Sequence, residues 1–397
     1  MKILIIATNL LSNSANTICI KTIVSEFLKC GHQVKILSRQ GVVYDSYSSL
    51  SYKKINKSNV VDNSLFLRRV EFLLSYFVWP NRIFSRSLFL YFKAKKEIEK
   101  YSPDVVMGYC NPFESLRVCH MLKKKYGNKF KYIAYFLDSI FSGSIPTLFT
   151  ESFHDYKALK AEKKVLSNAD AIVMMEAARL KYCVNREKIS YFDKIRFLDL
   201  PLYIPKEELK ENSERSFFPK NQKVIFFAGS MPRKIRDPRM FIDAFLNIKK
   251  DNLHLYFAGN SDFKKELDEY ILRDSRIHVL GILSHEEVLQ CYTEADYLLN
   301  IGNSYKGMIP SKIFEYMSYS KPIISISKID DDPCNHYLKQ YKKCILLNEK
   351  QPLSEISSFL YDFFESSNNI DLSSDFLIKK FYNNTPKAFV DYVESIF

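Results

Sequence analysis

Gly302-Asn-Ser-Tyr-Lys-Gly-Met-Ile-Pro-Ser-Lys-Ile-Phe-Glu-Tyr-Met317, followed by Ser318-Tyr-Ser-Lys-Pro-Ile-Ile324, is the stretch on which the reading of this chain turns. A polar loop runs into Pro310, a helix opens, and a buried strand follows. Proline suits a first helical turn, which has no use for its missing N–H. The free N–H groups and dipole of such a helix start attract phosphate, and Lys312 adds a charge there. Ser311 and Glu315 stand four apart on one helix face, while Ile313, Phe314 and Met317 can pack inward. A capping box with Ser311 would want its acid at position 314, which is Phe314. Glu315 is therefore either a mildly stabilising first-turn acid or a carboxylate placed to grip the hydroxyls of a sugar.

The surrounding sequence alternates strand and helix. In the second half, strands are expected at Val224–Ala228, His254–Ala258, Ile277–Leu280, Tyr297–Ile301, Pro322–Ile326 and Cys344–Leu347. Helical segments are expected at Pro238–Ile248, Phe263–Leu272, Glu286–Thr293 and Lys312–Ser318. In the first half, Lys2–Ala7 reads as a buried parallel strand, Thr17–Cys30 as a helix ending before Gly31, and Gln33–Leu37 as the next strand. Asp104–Gly108, Tyr132–Phe136 and Ala171–Met174 continue the pattern. This βαβ logic predicts doubly wound parallel sheets.

The segment Pro-Ser-Lys-Ile-Phe-Glu-Tyr-Met with its trailing Lys-Pro-Ile-Ile resembles the donor-nucleotide segment of GT-B glycosyltransferases, specifically the bacterial surface-polysaccharide members of glycosyltransferase family 4. The resemblance implies an α/β fold of two Rossmann-like doubly wound domains facing a cleft. Residues 1–203 would form the acceptor domain, 204–222 a linker and 223–375 the nucleotide-sugar domain, with 376–397 a C-terminal helix returning to the first domain. It implies that Glu315 binds the nucleotide ribose and that the amides around Ser311 and Lys312 bind the diphosphate. The sequence departs from the family at Gly307, where a second glutamate often contacts the transferred sugar.

A second signal is Phe226-Phe-Ala-Gly-Ser-Met-Pro-Arg-Lys-Ile-Arg236. A strand ends at Gly229, and three cations follow on a turn before the next helix; Gly229 and Ser230 are candidates for the donor site. Lys and Arg at a strand end can pair with a diphosphate, and a solvated basic turn has the same composition. The resemblance implies that an Arg and a Lys here stabilise the leaving diphosphate. Arg233 and Lys234 are the first candidates and Arg236 the next. Asn303 is expected near the phosphate or sugar. His285, after Gly281, reads as a helix-start or base-side residue rather than a catalyst.

In the first half, ligands favour loops at the carboxyl ends of strands. Asn13, Ser14 and Asn16 follow the first strand and could bind a hydroxyl or cap the next helix. Asn111 and Glu114 follow the Asp104–Gly108 strand. Asp138 follows Tyr132–Phe136 and is the candidate to accept the acceptor hydroxyl's proton. Asp330-Asp-Asp332 invites a metal, but the sequence places it in an exposed loop, and no metal site is expected.

Composition narrows the classes. The 397 residues carry a net charge of +13, with 47% hydrophobic residues and 15% aromatic ones. Two ordinary domains fit that length. No apolar run is long enough to span a bilayer, and Met1–Leu11 lacks a clean cleavage site. The eight cysteines are scattered without ligand spacing, which fits a reducing cytoplasm. No nucleic-acid motif accompanies the basic charge. A stripe of Phe66, Leu67, Val70, Leu73, Leu74, Phe77 and Val78, amid Arg68, Arg69, Arg82, Arg86, Lys93, Lys95 and Lys96, suits either core packing or an anionic membrane surface.

The expected function is transfer of a sugar, with retention, from a nucleotide sugar to a saccharide or lipid-linked glycan in surface polysaccharide synthesis. It would need no cofactor beyond the donor and no metal. The expected location is cytoplasmic, peripheral on the inner face of the plasma membrane through residues 66–96. The rival readings are a nucleotide-sugar epimerase of the same fold and a non-catalytic basic scaffold.

Overall fold

The computed structural model describes residues 1–7, 15–38, 43–45, 79–80, 84–110, 113–143, 145–146, 149–206, 209, 217–304, 311–366 and 372–397. The loop residues Asn13, Ser14, Asn111, Gly307 and Pro310, and the stripe from Phe66 to Val78, lie outside the described residues. The chain forms two compact units, Met1–Pro201 with Asn383–Phe397, and Leu202–Tyr382.

The first unit runs β1 (Lys2–Ile6), α1 (Ala15–Lys29), β2 (Gln33–Leu37), β3 (Val43–Asp45), α2 (Phe84–Tyr101), β4 (Val105–Cys110), α3 (Glu114–Tyr126), β5 (Lys131–Phe136), α4 (Glu151–Leu166), β6 (Ala171–Met175), α5 (Arg179–Val184) and β7 (Ile195–Leu198). The second runs β8 (Lys223–Ala228), α6 (Arg239–Leu246), β9 (Leu253–Ala258), α7 (Lys264–Arg273), β10 (Ile277–Gly281), α8 (His285–Glu294), β11 (Tyr297–Ile301), α9 (Lys312–Ser318), β12 (Ile323–Ser327), α10 (Pro333–Tyr341), β13 (Cys344–Asn348), α11 (Leu353–Glu365) and α12 (Ser374–Lys380). Helix α13 (Pro386–Glu394) belongs to the first unit.

The first sheet has the order β3-β2-β1-β4-β5-β6-β7, parallel except for β3. The second has the order β10-β9-β8-β11-β12-β13, parallel throughout. Helices cover both faces of a parallel sheet, so its strands carry nearly continuous apolar runs. Strands β4, β6, β11 and β12 are buried at every position. In each sheet the strand order reverses once, between β1 and β4 and between β8 and β11, and such a switch point opens a crevice at the strands' carboxyl ends.

The C-terminal segment is not one helix. Helix α12 stops at Lys380, and Thr385 caps α13 by accepting from Ala388 N, with Pro386 in the first turn. A proline cannot continue a helix arriving from upstream, so the chain breaks there. Helix α13 then packs on α1 through Phe27 and Phe389, whose ring centroids lie 6.2 Å apart, and its Glu394 meets His32, between α1 and β2, at 2.8 Å. The segment between the sheets is also less detached than its polarity predicts. Leu202, Tyr203 and Phe218 are buried in the second unit, and the amides of Phe217 and Phe218 donate to Glu294.

Candidate active site

The second unit gathers its charged groups at the switch point between β8 and β11. Gly229 directly follows β8 with φ +154°, and a Cβ added there would lie 2.0 Å from Lys312 Nζ. The first residue of α9 thus lays its ammonium over the glycine backbone, with Phe227 beneath it at 5.4 Å. Gly259, directly after β9 as Gly229 is after β8 and with φ +122°, would place a Cβ 2.3 Å from the Gly229 carbonyl. Two adjacent strands must therefore be followed by glycine for this ledge to exist. The signal was present in the sequence, since Phe227-Ala-Gly-Ser and Phe257-Ala-Gly-Asn share a pattern.

Lys312 and Glu315 are both half-buried, and neither makes a hydrogen bond or close ion pair among the described residues. Burial pushes the Lys312 ammonium down to about 7. Arg236 adds to that push, and Glu315 opposes it. Burial lifts the Glu315 carboxyl to about 7, with Lys312 pulling it back. Buried Tyr292 and Tyr316 and half-buried Tyr319 stand around the acid. Ser311 precedes α9 without a side-chain cap. An ammonium and a carboxylate this poorly solvated, with no hydrogen-bond partner among the described residues, are poised for a ligand.

The three cations of the basic turn part company. Arg236 reaches across the switch point. Its Nε donates to Asn303 Oδ1 at 3.0 Å, and one terminal nitrogen donates to the Ser230 carbonyl at 3.3 Å. Asn303 itself is buried. Arg233 instead pairs with Glu266 of α7 at 2.6 Å, donates to the Asp262 carbonyl and stacks on Phe263. Lys234 is exposed, and its carbonyl accepts from Ser304 Oγ at 2.7 Å. Arg236, not Arg233 or Lys234, is the cation that shares the field of Lys312.

His285 is the first residue of α8, behind a capping box of Ser284 and Glu287. Of the acidic triplet, Asp330 is exposed and pairs with Lys350 at 2.7 Å, as a loop residue would. Asp332 departs from that expectation. It is buried and caps α10 by accepting from Cys334 N at 2.8 Å, and its Oδ2 fits where Gly302 has no side chain. Among the described residues no group of three or more His, Cys, Asp or Glu side chains is placed to hold a metal ion.

In the first unit, Asp138 follows β5 and Glu114 opens α3 after β4. Asp138 is exposed, yet the surrounding walls desolvate its carboxyl and raise its pKa, while a hydrogen bond with Asn16 lowers it. Tyr109 of β4 donates to the Asn16 carbonyl at 2.7 Å, tying the start of α1 to this sheet end. Asn16 and Asp138 are thus brought together. Sequence reasoning missed Glu162, which lies fully buried beneath the Asp138 loop.

Residues 222–351 match the family model Glycosyl transferases group 1, a span that includes Gly229, Arg236, Asn303, Lys312 and Glu315. No curated protein sequence matches the chain. Anabaena HepE, solved with UDP and glucose, superposes with a TM-score of 0.58 at 13% identity, covering 100% of both chains. The lipopolysaccharide outer core galactosyltransferase WaaB, in its apo form, superposes at 0.56 with 14% identity over 100% of both chains. A UDP-N-acetylglucosamine 2-epimerase superposes at 0.53 with 11% identity, covering 98% of this chain and 90% of its own. The chain has the GT-B fold. Its second unit carries the segment of the group 1 glycosyl transferases, which bears out the resemblance read from the Pro-Ser-Lys-Ile-Phe-Glu stretch.

Proposed function

We propose that this protein is a glycosyltransferase that moves a sugar from a nucleotide-sugar donor to a saccharide or lipid-linked glycan, with retention, in the assembly of a surface polysaccharide. The observation that carries the reading is Lys312, an ammonium with no hydrogen bond or close ion pair among the described residues, laid over Gly229 beside Arg236. Breaking the bond to the sugar leaves negative charge on the departing diphosphate. Preorganised cations in a poorly solvated site stabilise that charge without reorganising. Lys312 and Arg236 fill this role. Glu315, on the same helix, accepts hydrogen bonds from the ribose hydroxyls. Asp138, in the first unit, takes the proton of the acceptor hydroxyl.

An anionic membrane completes the proposal as the surface on which a lipid-linked acceptor is met. Its support is α2, which exposes Phe92 at 60% and Leu88 at 42% beside Lys93, Lys95, Lys96 and Lys100. Among the described residues no helix is long and apolar enough to cross a bilayer, so the contact would be interfacial.

Incubation with a panel of nucleotide sugars, in excess chelator, tests the reading. Release of a nucleoside diphosphate with transfer to glycan acceptors is expected, and chelation is expected to leave it intact. Isomerised donor without release would favour the epimerase. No turnover and no nucleotide binding would favour the scaffold. Loss on chelation, restored by magnesium or manganese, would overturn metal independence.

A further inference from the structure

Helix α4 turns a stripe of His154, Ala158, Glu162, Val165 and Leu166 toward the interior. Four of these suit a core. Glu162 does not, because a buried carboxylate must find partners for both oxygens. It finds four. Oε1 accepts from Ile140 N at 3.1 Å and from Phe141 N at 3.2 Å, with Ser139 Oγ 3.4 Å away. Oε2 accepts from Tyr182 OH at 2.6 Å and from Tyr191 OH at 2.7 Å. Ser139 Oγ also meets Tyr182 OH at 2.6 Å and accepts from Ser142 N at 3.1 Å. Burial raises the Glu162 pKa, while the two tyrosines and two amides hold it down.

An apolar side chain would fill this position on α4 without such demands. The carboxylate adds a fixed path for one loop. Two of its four donors are the amides of Ile140 and Phe141, in the loop that leaves β5 immediately after Asp138. The loop closes on itself at Gly143, whose amide donates to the Ile140 carbonyl and where a Cβ would lie 2.7 Å from the Ser139 carbonyl. Tyr182 of α5 and Tyr191 brace the same carboxylate from behind. The Asp138 backbone is therefore held between strand β5 on one side and a fully satisfied buried acid on the other. A side chain locked through its own backbone can be presented without being touched.

We infer that Glu162 is a positioning residue that aims Asp138 at the acceptor hydroxyl. The inference rests on the proposed role of Asp138. The test compares Glu162→Gln, Tyr191→Phe, Asp138→Asn and the double Asp138→Asn/Glu162→Gln. Transfer is measured from the nucleotide sugar selected by the panel to synthetic octyl glycosides, alongside amide hydrogen exchange at residues 139–142. Glu162→Gln should lower kcat about ten- to hundredfold, since a displacement near 1 Å costs that much. Tyr191→Phe should lower it less. Exchange at 139–142 should quicken in both. Nucleotide affinity should stay within about twofold, because Lys312, Arg236 and Glu315 stand in the other unit. The double variant should be no slower than Asp138→Asn alone.

Full turnover by Asp138→Asn would overturn the role of Asp138 and this inference with it. Loss in Asp138→Asn beside unchanged kcat in Glu162→Gln and Tyr191→Phe would overturn this inference alone. Losses that multiply in the double variant would reduce Glu162 to core support. Should Glu162→Gln fail to fold, Tyr191→Phe carries the same comparison.

Discussion

Replacing Gly229 with Ala adds one carbon at the centre of the proposed donor site. The new Cβ would lie 2.0 Å from Lys312 Nζ, so the ammonium must retreat by roughly 1.5 Å to ordinary van der Waals separation. Lysine is long and flexible, so the retreat itself is cheap. Its consequence is electrostatic. At an effective dielectric near 20, a charge about 4 Å from a phosphate oxygen contributes about 4 kcal/mol, and at about 5.5 Å roughly 3 kcal/mol. Loss of the charge-assisted hydrogen bond raises the total to about 1–3 kcal/mol. Nucleoside diphosphate affinity should fall about five- to hundredfold. The φ of +154° adds strain of order 1–3 kcal/mol in the folded protein, visible as a lower Tm. Calorimetric titration with the tightest nucleoside diphosphate measures the first effect and thermal denaturation the second. Lys312→Met should lose affinity by itself, and adding Gly229→Ala to it should cost little more, because the displaced group is already gone. Unchanged affinity in a folded Gly229→Ala protein, or losses that multiply in the double variant, would refute the placement of Lys312 on the diphosphate.

Arg236→Gln should weaken nucleotide binding at least tenfold, while Arg233→Gln should change it by less than about threefold, since Glu266 already holds Arg233; calorimetry on both variants reverses the assignment if the order is opposite. Nucleotide affinity should peak near pH 7, because Lys312, held down to about 7, loses its proton above that pH, and Glu315, lifted to about 7, gains one below it. Binding should take up protons on the alkaline side and release them on the acid side in buffers of different ionisation enthalpy, and Glu315→Gln should remove the acid limb only. Liposomes with anionic lipid should bind the protein at low salt and release it at high salt, with Lys93→Gln/Lys96→Gln and Phe92→Ala each weakening capture; equal binding to neutral liposomes would return α2 to ordinary surface.

The strands were legible in the sequence because a parallel sheet buries both faces, so runs such as Lys2–Ile6 and Tyr297–Ile301 announce themselves. Glu315 and Lys312 were legible because a helix start after a strand is a local pattern. The partner of each charged group was not. Arg233, Lys234 and Arg236 are near neighbours on one turn, and only the fold brings Glu266 to the first and Asn303 to the third. Gly229 reads as a strand end, yet its need to be glycine comes from Lys312, placed there because β8 pairs with β11 and α9 follows β11. Asp332 looks like the third of three solvated acids until α10 begins beneath it. Glu162 stands in Ala-Glu-Lys-Lys, the composition of a wet helix face, and its donors lie 20 to 29 residues away along the chain. Periodicity reports which face of an element leaves water. Which group meets a buried charge depends on the crossings of distant segments, and those are set by the tertiary structure alone.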